Sequence, residues 1–96
     1  MTPGLRLNEK DLNTVRSAVW DARAKYYFIG LELGLNPSDL DTIRRRYQGD
    51  PDDSLPAVLQ IFLTRAHPPP TWIDLARALE SPGVGYGALA EKIRNN

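Results

Sequence analysis

The chain contains no cysteine, which excludes a disulfide scaffold, thiol catalysis and any thiolate metal site. Small secreted domains commonly need disulfides, so the expected compartment is the cytosol. Histidine is nearly absent too: His67 is the single copy, so no two-histidine metal site or histidine pair can form. No apolar run reaches the ~20 residues of a membrane span, and the opening MTPGLRLNEKDL has no apolar stretch of the signal-peptide kind. A net charge surplus is also missing, with 12 basic and 12 acidic residues. General nucleic-acid binders carry a basic excess that neutralises phosphates, so no nucleic-acid partner is expected. A surface with no net charge favours self-association instead. Strand-like alternation, internal repeats and low-complexity segments are lacking as well.

What is present is enough for one folded unit. Ninety-six residues match one domain, and a chain of this size buries roughly 60–65% of its unfolded surface. That supports one modest core and leaves little room for a deep internal cavity. Apolar residues make up 42% and charged residues 25%, proportions of a globular chain and not of a disordered one. The abrupt Met1-Thr2-Pro3-Gly4 start and the Asn95-Asn96 end point to a domain taken from a longer polypeptide.

Helix punctuation recurs. Asn8, Asn36, Asp50 and Thr71 are each followed three positions later by an acid: Asp11, Asp39, Asp53 and Asp74. Each pair suits a helix start, where a side-chain oxygen accepts a free N–H and an acid meets the positive end of the dipole. Pro37 and Pro51 stand at the first helical position, where no N–H is needed. Apolar residues then repeat at helical spacing, which predicts the core: Leu12 and Val15; Leu40 and Ile43; Leu59 and Phe62; Trp72, Leu75 and Leu79. Two further stripes, Tyr26, Ile29 and Leu33, then Leu89 and Ile93, give a second and a last helix. Trp72 is expected to be half-buried. Gly34 suits a left-handed helix end, and Gly30, inside a helix, implies close approach of a neighbour. His67-Pro68-Pro69-Pro70 reads as a stiff connector. The fold class predicted is all-α, six helices in one antiparallel bundle, with one domain over residues 1–96.

No arrangement of catalytic groups emerges, so neither enzyme activity nor a small-molecule substrate is expected. His67 has no serine nucleophile or acid at a suggestive spacing. The glycines of Gly83-Val84-Gly85-Tyr86-Gly87 follow a helix, whereas a dinucleotide loop follows a strand. Asp50, Asp52 and Asp53 lack the twelve-residue spacing and closing Glu of a calcium loop. No metal or cofactor is predicted. The conspicuous charge run is Arg44-Arg45-Arg46, which spans about 200° of helix arc and so cannot all face a core. It is either a solvated face or a basic knob for an acidic partner. Residues 1–48 carry eight basic and six acidic side chains, while residues 49–96 carry four and six. A neutral body with such a +2/−2 split can dock head to tail with its own copies, and a contact of that kind propagates into a ring or helix.

Several runs resemble one family in order. Lys25-Tyr26-Tyr27-Phe28-Ile29-Gly30-Leu31-Glu32-Leu33-Gly34-Leu35 with Leu40 and Ile43 is similar to the second and third helices of the death domain. Leu55, Leu59 and Phe62-Leu63 resemble its fourth helix, Thr71-Trp72-Ile73-Asp74-Leu75-Ala76-Arg77-Ala78-Leu79 its fifth, and Val84-Gly85 with Leu89, Ala90 and Ile93 its sixth. The resemblance covers about residues 8–94. Phe62 and Tyr26 stand where many relatives have Trp, and the first helix matches least well. The resemblance implies a six-helix antiparallel Greek-key bundle, without catalytic activity, that assembles with other death-domain proteins, self or heterotypic, in apoptotic or innate-immune signalling. It places one contact surface on Arg44, Arg45 and Arg46, and its counterpart on Glu9, Asp11, Asp52 and Asp53. It gives a second contact type to the loops holding Arg65 and His67, and Gly85 and Tyr86. The alternatives are another helical module, of caspase-recruitment or sterile-alpha-motif type, or a DNA-binding helical domain reading through the arginines.

Overall fold

Helices begin where capping residues stand. In the computed structural model, which describes residues 6–65 and 70–95, Asn8 Oδ1 accepts the Lys10 N–H at 2.8 Å and Asp11 accepts the Asn8 N–H at 2.9 Å. Asn36 accepts from the Ser38 N–H at 3.0 Å, and Asp50 from the Asp52 N–H at 2.9 Å. At the fourth start, Asp74 accepts the Thr71 N–H at 2.8 Å. The resulting elements are a 3-10 turn Glu9–Asp11, α1 (Leu12–Val19), a 3-10 stretch Trp20–Lys25, α2 (Tyr26–Glu32), α3 (Pro37–Arg46), α4 (Pro51–Arg65), α5 (Trp72–Glu80) and α6 (Gly87–Arg94). Among the described residues there is no strand, only a bridge between Arg6 and Thr71 with the Leu7 N–H on the Pro70 carbonyl at 2.7 Å. None of these helices is long and apolar enough to cross a membrane.

Six separate helices are not what forms. The described residues make five uninterrupted helical stretches, because helix runs without a gap from Glu9 to Glu32. No glycine or proline lies between Arg6 and Ile29 to stop it. The core stripe Val15, Val19, Ala22, Tyr26, Ile29 continues through the junction at spacings of three and four residues. What marks the boundary is tighter winding: the Tyr26 N–H bonds to the carbonyl of Arg23, three residues back.

Helix ends follow chain chemistry. After α2, the Leu35 N–H bonds to the Gly30 carbonyl and the Gly34 N–H to that of Leu31, at 2.9 and 3.1 Å, with Gly34 at φ +87°. This is the paired-bond cap that glycine favours. The same cap closes α3, through Gly49 to Arg44 and Gln48 to Arg45, and it holds Gln48, not a glycine, at φ +55°.

One apolar cluster joins all the helices, with α4 touching α1, α2 and α3, and α5 packed on α6. The Cα radius of gyration is 12.1 Å, close to the ~12.5 Å of a compact chain of this length. Of the predicted core, Val15, Tyr26, Ile29, Leu40, Ile43, Leu59, Phe62, Trp72, Leu75, Leu79 and Ile93 are buried. Leu12, Leu33 and Leu89 are only half-buried, lying at helix starts or ends where the stripe turns toward solvent. Trp72 is more deeply set than expected, at 3% exposure. Gly30 has the close neighbour that its position implied: a Cβ there would collide with Leu40 Cδ2 and come within 3.2 Å of Cδ1. Pro56 sits inside α4, where its ring removes the N–H that would meet the Asp52 carbonyl.

Candidate protein–protein interface

The α2–α3 corner presents the predicted basic surface. Gly30 lets Leu40 seat against α2, and this contact sets how α3 lies along it. On the outside a short polar chain binds the same two helices. The Tyr27 hydroxyl donates to Asp41 Oδ1 at 2.9 Å, and Arg44 Nη2 reaches the same oxygen at 3.1 Å. The Arg44 guanidinium also lies 5.2 Å from the centre of the Tyr27 ring. The Asp41 carboxylate, by accepting the hydroxyl proton's hydrogen bond, holds the Tyr27 phenol above its usual pKa. Arg44 is therefore tied down as structure. Arg46 lies 5.6 Å from the Tyr47 ring and makes no ion pair among the described residues. Arg45 is exposed and likewise has no acidic partner there. Two of the three arginines are thus open to an external acid.

The acidic residues divide the same way. Asp11 is occupied in the first helical cap, and Asp52 pairs with Arg23 Nε at 2.7 Å. Glu9 and Asp53 are exposed and hold no ion pair among the described residues. One residue from each predicted surface, Arg46 and Asp53, lines the same groove. That groove, of about 480 Å³, runs between α3 and α4, with Ile43, Tyr47, Pro56, Ala57 and Ile61 along it and Asp39 also on its rim. The Asp39 carboxylate faces Arg65 Nη1 at 3.4 Å, a long contact between exposed side chains.

The predicted loop contacts fare unevenly. Arg65 is exposed at the end of α4. His67 lies outside the described residues. Gly85 is exposed at φ +74°, and its neighbour Tyr86 packs partly against the core while its N–H closes the turn on the Leu79 carbonyl at 2.8 Å. Tyr86 is thus as much a strut as a contact.

Two features were not legible from cap and stripe patterns. Phe28 and Leu31 are exposed, at 47% and 39%, on the outer side of α2. Their signal was in the sequence: α2 carries apolar residues at 26, 27, 28, 29 and 31, more than one core-facing stripe can hold. The second is Trp20, whose half-buried ring has the guanidinium of Arg23 at 4.7 Å and that of Arg16 at 5.8 Å. Arg23 also donates to the Trp20 carbonyl at 3.0 Å, so it ties the 3-10 stretch to Asp52 at the start of α4.

Across protein-family models, curated proteins and solved structures, nothing matches this chain.

Proposed function

We propose that this chain is a non-catalytic protein–protein interaction module that assembles with copies of its own fold. In this reading it is a death-domain-like unit of cytoplasmic signalling, of apoptotic or innate-immune type. The fold belonging to this reading is a six-helix antiparallel Greek-key bundle, with α1 and α2 as its first two helices. The ordered run of similar segments from Lys25 to Ile93 supports the family. The observation that carries the function is that Arg45 and Arg46, and likewise Glu9 and Asp53, are exposed and hold no ion pair among the described residues. Exposed opposite charges without ion pairs among the described residues favour partners outside the chain, and they steer encounters more than they add affinity.

The test is association by sedimentation velocity at low salt, comparing the wild type with the double variant Arg45→Glu/Arg46→Glu. Both positions are solvent-facing, so far-ultraviolet circular dichroism should be unchanged while association weakens and loses salt dependence. Association of the variant at wild-type strength would remove the arginines from the interface.

A further inference from the structure

The groove and the exposed side of α2 carry matching patterns. Along α3, Asp39 and Arg46 stand seven residues apart, with Thr42 and Ile43 between them, and all four line the groove. Seven residues are two helical turns, about 10 Å, and return to the same face. Around α2, Lys25 and Glu32 also stand seven residues apart, with Phe28 and Leu31 between them, and all four are exposed. The charges are opposite in order: acid then base on α3, base then acid on α2. Neither Lys25 nor Glu32 has an ion pair among the described residues; the Lys25 ammonium only rests 5.7 Å from the Phe28 ring.

We infer that α2 of one copy docks parallel to α3 in the α3–α4 groove of the next copy, with Phe28 and Leu31 filling it, Lys25 taking Asp39 over from its long 3.4 Å contact with Arg65, and Glu32 on Arg46. The proposal rests on the self-assembly reading above and names its contact. The apolar pair supplies the binding energy, since buried aromatic anchors dominate small interfaces. The flanking charges set the register. A groove of about 480 Å³ falls in the range of sites that hold compact apolar groups. The donor helix and the receiving groove are different surfaces of one chain, so the contact is heterologous and repeats from copy to copy.

Five variants test it, each checked for an unchanged thermal melt. Phe28→Glu removes the anchor, Thr42→Arg blocks the groove, and both positions are exposed. Each alone should weaken association in sedimentation velocity by about thirtyfold, the loss of one hot-spot contact. Mixed one to one, they should form a dimer that stops there, because the Thr42→Arg copy keeps its α2 and the Phe28→Glu copy keeps its groove. For the register, Lys25→Glu should weaken association by about fivefold, the loss of one exposed ion pair, and Asp39→Lys should restore it. Rescue by Asp53→Lys in place of Asp39→Lys overturns the parallel docking. If the wild type associates and Phe28→Glu and Thr42→Arg associate equally well, this contact is wrong while the self-assembly reading stands. A wild type that stays monomeric at every concentration overturns both.

Discussion

Replacing Gly30 by Ala tests the packing that positions α3. In an isolated helix the change is favourable by about 1 kcal/mol, because Ala orders at a smaller entropic cost. Here the new methyl would collide with Leu40 Cδ2, with Cδ1 at 3.2 Å and Cγ at 3.4 Å. Leu40 is fully buried, so its side chain has no solvent to swing into, and overpacking of this kind costs about 1–3 kcal/mol. The balance is a destabilisation of about 1 kcal/mol, which lowers the melting temperature by about 4–8 °C for a domain of this size. Urea titration of Gly30→Ala, Leu40→Ala and the double variant isolates the contact. Leu40→Ala alone should lose about 3–5 kcal/mol. In that background all three obstructing atoms are gone, so Gly30→Ala should become stabilising by about 1 kcal/mol, a coupling of about 2 kcal/mol. If Gly30→Ala stabilises the wild type as it would a free helix, the close approach of Leu40 to α2 is refuted.

Other perturbations read separate features. Gln48 holds φ +55°, a left-handed conformation that costs a non-glycine residue about 1 kcal/mol, so Gln48→Gly should raise the melting temperature by about 4–8 °C; a lowered melting point would show that Gln48 has a compensating role. The Ser54 hydroxyl is fully buried without a hydrogen-bond partner among the described residues, so Ser54→Ala should stabilise by about 1 kcal/mol in urea titration, and a loss of similar size would mean that the hydroxyl is satisfied. Glu80 and Arg94 form two hydrogen bonds of 2.6 Å between α5 and α6, and the guanidinium holds the Glu80 carboxyl below its usual pKa. A carboxyl with a depressed folded pKa adds stability above its unfolded value of about 4.3 and loses it as the pH falls through the folded pKa. Arg94→Ala should therefore flatten the acid limb of the melting-temperature profile and leave the alkaline limb in place; an unchanged acid limb would assign the acid loss to other carboxylates.

Helix starts, helix ends and most of the core were legible because each has a local cause. Asn8, Asn36 and Asp50 accept the N–H groups that their positions predicted, and Gly34 takes the left-handed turn. The division between the first two helices is not legible locally, because Val15, Val19, Ala22, Tyr26 and Ile29 keep one continuous spacing across it. The candidate surface was legible only as residue types. Which charges are free depends on pairings between distant segments, Arg23 with Asp52 and Arg65 with Asp39, and no local pattern encodes them. The groove that brings Arg46 and Asp53 together likewise arises from how α3 turns back along α4. Phe28 and Leu31 sit inside the family-like run, and only their position off the Tyr26–Ile29 stripe marks them as an outward face.

Sedimentation velocity of the wild-type chain over rising concentration, at low and high ionic strength, reads assembly through surface charge and the exposed α2 face without any substitution. Species should grow with concentration at low salt and shrink as salt screens the charged contacts. A single monomeric species, unchanged by concentration or salt, would contradict such assembly.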